Sequence, residues 1–444
     1  MLPNNIIFKR SSRCISFFGR KKPATTQEGD CTFDMKSCFD QKASSLKVRE
    51  SCSLEGCCSL PKVIVVGAGL AGMSAASKLI QAGVKDLLVL EATSRPGGRI
   101  MSSWVGDAMI EFGPTVLYGA SLANPVYNLA NLSGAITYPV RRLGQRKRLF
   151  LTSDGELITD YAVETLLYNQ LISDAKSMAS RTGPGSCAST PKRNLMQYLG
   201  LRIQQELLDL PSDMQKKSEK ILWGMLNSLR VAFGAELSQI SSWALSDRGS
   251  SPGGPIILEG GMHRILSPLL QKLPEDKILL NTPVHKITLD PCPEYHKPVK
   301  VITCDNKVFE ADYVVVTVPL GVLKKRADEM FEGALSKEQS NAIKNIGLGQ
   351  LNHVYLEYAH PWWIPGMPSM SLAWGMEELQ LSTEWTKGIG YIHEVHGSKH
   401  LLSVDIAGPE AELIEGVAEE EVAIQITRFL RKFTGDTLSL TQLI

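Results

Sequence analysis

The sequence predicts an α/β protein, a doubly wound (Rossmann-like) domain on a parallel sheet interleaved with an α+β domain. Three observations predict it. "KVIVVGAGLAGMSAASKLIQAGVKDLLVLEA" (62–92) reads strand, glycine turn, helix, strand. Strand-like runs return at "ILLNTPVHKITL" (278–289) and "ADYVVVTVPLGVL" (311–323), after a stretch of helical periodicity. Residues 350–405 then alternate apolar and polar positions as sheet does.

Taken in order, Val63 to Val66 is a continuous β-branched run, the pattern of a parallel strand buried on both faces. Ala71 to Ile80 is small and apolar, suits a helix lying on a sheet, and meets Gly83 as a terminator. "DLLVLEA" is the next strand, which closes a βαβ unit. "YAVETLLYNQLISDAKSMAS" and "NLMQYLGLRIQQELLDL" carry a helical period around the loop "RTGPGSCASTPKR". "SDRGSSPGGP" is a flexible crossing. "LNHVYLEY", "SMSLAW", "GYIHEV" and "HLLSVDIAG" read as strands, and "AEEEVAIQITRFLRKFTG" reads as a helix with acids in its first turn and a glycine after its end. The organisation expected is a basic, cysteine-containing, disordered leader (1–60), nucleotide-domain segments at 61–150 and 255–325, a mostly helical second-domain segment at 151–254, and a second-domain segment of sheet and helix at 326–444.

Bulk numbers exclude some functions. The chain has 444 residues, with 47 Lys+Arg against 46 Asp+Glu, so no global field favours nucleic acid. No apolar run approaches the ~18–20 residues of a membrane span. Six of nine cysteines lie before residue 59, without CxxC pairing, so the body carries no disulfide framework and no metal site is expected. The leader holds six basic residues before its first acid at Glu28. It is either a transit-like segment or a solvated tail. The expected compartment is cytoplasmic, with a mitochondrial alternative through that leader.

The chemistry starts at "GAGLAG". Gly67 permits the tight turn, Gly69 the close approach of a pyrophosphate, and Gly72 close helix–strand packing. Glu91, at the end of the second strand, can accept hydrogen bonds from an adenosine ribose. In "ATSRPGGRI", Gly97 and Gly98 let backbone approach a ligand, with Arg99 as a cation beside it. Later, the alternation of "LNHVYLEY" places His353 on one strand face with Leu351, Tyr355 and Glu357. A histidine there is a satisfied core residue or a group at a reaction centre.

These motifs, with "EFGPTVLYGASLANPVYNLA", "LEGGMHRIL", "NTPVHKI" and "IGLGQLNHVYLEYAHPWW", resemble the flavin-containing amine oxidases over most of 61–437, closest to the spermine and N-acetylpolyamine oxidases. "RPGGRI" and the later motifs argue against a nicotinamide-linked dehydrogenase. The resemblance implies an FAD-binding domain interleaved with a substrate domain. It implies oxidation of spermine or an acetylated polyamine by hydride transfer to FAD, with O2 giving hydrogen peroxide. It assigns Gly67, Gly69, Ala71, Gly72, Glu91, Gly98 and Arg99 to the adenosine and pyrophosphate end. Thr115, Val116, Leu117 and Tyr118 are placed along the flavin, and Val284 at the adenine. Trp362, Trp363, Tyr355 and Trp374 are candidates for an aromatic lining, against plain core packing.

Three departures from the family stand out. Tyr118 replaces a histidine, and His353 replaces the lysine that reaches the flavin N5 through a water. A C-terminal segment returning to the FAD domain is expected to be missing, and a longer C-terminus would admit a peroxisomal address. Tyr118 and His353 are the candidate catalytic residues. The alternative is a catalytically impaired relative that binds FAD, polyamine or a partner without turnover. Oligomeric state is not legible.

Overall fold

The computed structural model describes residues 5–7, 15–16, 61–136, 148–153, 155–182, 194–241, 245, 252–289, 298–363, 366, 369–381 and 384–434. Along the chain run β1 (Lys62–Val66), helix α1 (Leu70–Gln81), β2 (Asp86–Leu90) and the hairpin β3 (Ser102–Val105) and β4 (Ala108–Glu111). After β5 (Arg148–Thr152) come the long helix α2 (Ser212–Phe233) and β6 (Tyr313–Val316). The chain continues with β7 (Leu351–Glu357), β8 (Ser369–Ala373), β9 (Ile389–Glu394), β10 (Leu401–Ala407) and helix α3 (Glu419–Thr434).

The nucleotide-type segments form a parallel sheet in the order Ile278–Leu279, β2, β1, β6. Its continuous apolar runs have the physical cause anticipated. Ile64 and Val66 pack on one side with Leu90 and Val301, and Val65 packs on the other with Met73 and Ala76 of α1. Two expected strands divide. In 311–323 the strand stops at Val316, and Pro319, which has no N–H for a ladder, caps a helix over Leu320–Phe331. In 278–289 the ladder breaks where Asn281 turns to φ 51°.

The second sheet has seven strands in the order Asn5–Ile7, β7, β10, β9, β8, β5, Leu157–Ile158. Its two faces differ. On one, Leu151, Val354, Leu356, Met370, Val404 and Ile406 pack with Val422, Ile426 and Phe429 of α3. On the other, α2 covers one end, where Val231 meets Leu351 and Ala407. The hairpin β3–β4 covers the other end, where Val105 and Phe112 meet Tyr355 and Leu401. A hydrogen bond from the Tyr355 hydroxyl to the Glu111 carbonyl (2.7 Å) pins that end to the nucleotide side.

Helix α2 lies within the stretch 151–254 expected to be mostly helical, but no stretch of the sequence marks its bounds. Ile221 to Val231 are buried at every position, so no polar stripe marks a helical period. The close approach is visible at Gly224, where a Cβ would sit 2.6 Å from the Leu372 carbonyl oxygen. Part of the expected leader is also structured. Asn5–Ile7 pairs antiparallel with Tyr355–Glu357, and Ile15–Ser16 pairs with Leu348–Gly349. The edge of β7 would otherwise present unpaired backbone groups, which is a reason for a strand to form there. The leader's cysteines and its basic run lie outside the described residues, as does most of "SDRGSSPGGP".

Candidate active site

The glycine turn discriminates between packing and ligand space. Gly67 adopts φ 104°, and a Cβ there would meet Thr317 Oγ1 at 2.8 Å. A Cβ at Gly72 would collide with the Gly67 carbonyl oxygen. Gly69 is different. Its backbone is extended (φ −71°, ψ 179°), open to any residue, and a Cβ there would meet no protein atom within 4 Å. Nothing in the protein requires glycine at 69, whereas a phosphate lying against the turn does. Gly69 also caps α1, whose first turn holds no acid, so its free N–H groups are available to an anion.

The "RPGGRI" loop docks on this turn. The Gly97 N–H donates to the Ala68 carbonyl (2.8 Å), and Gly69 and Gly97 form a parallel bridge. Gly98, at φ 55°, brings its backbone beside the Gly69 Cα. Arg95, which sequence reasoning passed over, holds the loop by donating to the carbonyls of Pro96, Gly98 and Ile100. Glu91 is buried. Its Oε2 accepts the Ala68 N–H (2.7 Å), and its Oε1 accepts the N–H and hydroxyl of Thr93 (3.0 and 2.8 Å). An ionised carboxylate offers about four acceptor positions, so Oε2 retains one for a ribose hydroxyl. The cradle fits an adenine dinucleotide.

The other assigned positions separate. Ala71 and Arg99 are exposed, Thr115 and Val116 are half-buried, and Tyr118 is 72% exposed. The side chains of Leu117 and Val284 are buried, Leu117 with Tyr127 and Ile256, and Val284 with Ile64 and Leu90. Three aromatic candidates are core residues as well. Trp363 and Trp374 lie in the cluster under α3, and Tyr355 lies under β3–β4; Trp362 packs against the first of these clusters.

His353 lies at one end of a polar row that crosses three strands. It stands opposite Asp405 on β10, which stands opposite Tyr391 on β9. In the next row, Tyr355, Ser403 and His393 line up on the same face. His353 Nδ1 lies 2.7 Å from Asp405 Oδ1, with both side chains only 4% exposed. Ser403 donates its hydroxyl to the same oxygen (2.9 Å). His353 Nε2 is buried without a hydrogen-bond partner among the described residues. Burial opposes the Asp405 charge, yet the rings of His353 and His393 and the Ser403 hydroxyl outweigh it and hold the carboxyl at about 2. Burial, then the Asp405 charge and Tyr118, push the Tyr391 hydroxyl upward, against Arg148. Tyr118, from the nucleotide side, and Tyr391, from the sheet, therefore lie in electrostatic range of each other. The sequence alone gave no signal for Asp405, Tyr391 or His393, because their pairing with His353 is set by strand order.

Comparison with known proteins decides the family. Residues 70–442 match the family described as flavin containing amine oxidoreductase. The chain belongs to this family. It is 30% identical over 413 residues to the peroxisomal N(1)-acetyl-spermine/spermidine oxidase of Homo sapiens, covering 85% of this chain and 78% of that protein. It is 29% identical over 388 residues to lysine-specific histone demethylase 1 homolog 2 of Arabidopsis thaliana, covering 84% of this chain and 47% of that protein. A solved structure of putrescine oxidase bound to putrescine superposes with a TM-score of 0.61 at 18% identity, covering 85% of this chain and 82% of that one. The protein is thus a flavin-dependent amine oxidoreductase of the polyamine oxidase kind, with the interleaved fold of that family and FAD as its cofactor. No described helix is long and apolar enough to cross a membrane, and no group of three metal-ligating side chains occurs among the described residues.

Proposed function

We propose that the protein oxidises spermine or an N-acetylated polyamine at a carbon beside a secondary amine nitrogen. FAD supplies the two-electron acceptor when bound, leaving an imine for water to hydrolyse and a reduced cofactor for O2 to reoxidise with release of hydrogen peroxide. Gly69, Gly98, Glu91, Arg99 and the start of α1 would hold its adenosine and pyrophosphate, with Thr115 to Tyr118 beside the ring system.

The observation that carries this reading is the polar row. An apolar cover closes each end of one sheet face, and between the covers lie His353, Asp405, Tyr391, Ser403 and His393. An amine must be neutral to give up a hydride from the adjacent carbon, so the site needs a desolvated acceptor for its proton. The unpartnered His353 Nε2 is such an atom. Tyr118 carries a hydroxyl that can donate a hydrogen bond to the amine or accept one from it. The proposed compartment is the cytoplasm, and imaging of tagged protein decides among cytoplasm, mitochondria and peroxisome.

The test is anaerobic stopped-flow bleaching of the flavin by spermine and by N1-acetylspermine. Reduction within seconds by either, with hydrogen peroxide on readmitting air, is the expected result. A flavin-loaded chain that no polyamine bleaches would favour the second reading, binding without turnover, which the replacement of lysine by His353 supports.

A further inference from the structure

We infer that Asp405 is a positioning residue that fixes the tautomer of His353, so that Nε2 is the ring nitrogen presented to the amine. This rests on the function proposed above. The geometry comes first. Asp405 is the cross-strand partner of His353, and its Oδ1 lies 2.7 Å from Nδ1. An ionised carboxylate only accepts hydrogen bonds, so Nδ1 must carry the proton. In the neutral ring Nε2 is then a lone-pair acceptor, and it is the ring atom left without a partner among the described residues.

The ring is held at Nδ1, and Nε2 is buried without a partner among the described residues. Leu351 and Tyr355, its neighbours along the face, are packed under α2 and under β3–β4. The carboxylate is anchored in turn by Ser403, by Tyr391 and by the backbone register of β10 between β7 and β9.

The step this permits is a proton transfer. The N–H bond of a protonated secondary amine breaks, Nε2–H forms, and the electron pair stays on the amine nitrogen. The imidazolium that results lies against Asp405, which compensates its charge. A lysine at 353 would reach further with three donors and no acceptor when charged, so the pair does a different job from a bare cation. The groups facing Asp405 are His353 on β7, Ser403 on its own strand, and Tyr391 and His393 on β9; Arg148 and Tyr118 act on it through Tyr391. Arg230 of α2 bonds the Ala407 carbonyl two residues along and is itself held by Glu236 and Glu410.

The experiment uses the full chain with 15N-labelled histidine. There are eight histidines, and the resonance missing from His353→Gln identifies the ring. At a pH where that ring is neutral, the parent should show the Nδ1–H tautomer. In Asp405→Asn the amide can donate as well as accept, so the pattern should shift toward Nε2–H. An Nε2–H ring in the parent, or an unchanged pattern in Asp405→Asn, overturns the inference. The parent spectrum decides even if the variant fails to fold.

Flavin reduction by N1-acetylspermine supplies a second, separable readout. Asp405→Asn should lower the limiting rate by about tenfold or more, since a wrong tautomer disables a base whose position is intact. The amine's dissociation constant should change by less than about threefold. In a His353→Gln background, Asp405→Asn should have no further effect on the rate, because it acts through the ring. A full effect in that background overturns the inference. If no polyamine reduces even the parent, the function fails, while the tautomer still decides the role of Asp405.

Discussion

On one face of the seven-stranded sheet, Ile392, Val404 and Val354 stand in a row across β9, β10 and β7; one residue along each strand, on the other face, stand Tyr391, Asp405 and His353. The same strands and the same register make both rows. The first is wholly apolar, fully buried and covered by α3. The second is polar and lies between two partial covers, α2 at one end and the β3–β4 hairpin at the other. Because side chains alternate along a strand, a sheet can commit one face to cohesion and leave the other to chemistry. The first face holds little polarity beyond buried Asn352, which donates to the Ala411 carbonyl, whereas the second holds a connected row in which His353 Nε2 is left without a partner among the described residues.

The largest expected effect comes from breaking the apolar row. Val404→Asp places a carboxylate, without partners, opposite Val354 and Ile392. Its cost should exceed about 4 kcal/mol, the range reached by unpaired buried charges. Soluble yield and thermal melting check this, and a variant that melts within a few degrees of the parent would mean that α3 does not seal that face.

The polar row should answer differently. His353→Leu alone strands the Asp405 charge and should cost about 3 kcal/mol. His353→Leu together with Asp405→Leu removes the charge as well but leaves the Ser403 and Tyr391 hydroxyls without their acceptor, so it should cost less than His353→Leu alone while abolishing flavin reduction by polyamines. Chemical denaturation of the two variants measures the gap. A double variant as unstable as the single one would mean that the row holds the fold together.

The sequence disclosed one side of this comparison far better than the other. The βαβ unit was legible because glycine spacing and a continuous β-branched run have few other causes. Alternation in "LNHVYLEY" gave the correct face for His353. What it could not give was the partner across the ladder: Asp405 lies 52 residues on, and only the strand order β7–β10–β9 brings it opposite. Leu117 and Val284 are assigned by the resemblance alone, which gives position along the chain and not packing; the structure adds that both side chains join apolar clusters. Only the bounds of helix α2 escaped, because burial on all sides from Ile221 to Val231 erases the period that a half-buried helix displays.

A smaller effect should appear in acid. The Asp405 carboxyl is lowered in the folded chain to about 2, against ~3.9 in an unfolded one. Its contribution is therefore complete above the unfolded value and is lost as pH falls through about 2. By linkage it is on the order of 2 kcal/mol. The difference in stability between parent and Asp405→Asn, measured by urea melts from pH 6 downward, should narrow steadily below pH 4. A difference that stays constant to pH 2 would show that the folded carboxyl is not depressed.

The smallest effect on stability is expected at Gly69 in the glycine turn, where the distinction between packing and ligand space recurs on the scale of single Cβ atoms. At Gly72 the space is filled by the Gly67 carbonyl oxygen, so Gly72→Ala must shift helix α1 off the strand and lower the melting temperature of the cofactor-free chain. At Gly69 the backbone is ordinary and the space is empty of protein, so Gly69→Val should leave cofactor-free stability within about 0.5 kcal/mol, as for surface substitutions without strain. The valine would nevertheless occupy the place where the pyrophosphate approaches the turn, and FAD retention should fall below a tenth of the parent's. The two measurements are the melting temperature after cofactor removal and the flavin absorbance per chain after reconstitution. A Gly69→Val protein that keeps its flavin would move the pyrophosphate away from this turn, whereas one that loses both flavin and stability would mean that Gly69, like Gly72, is required by packing.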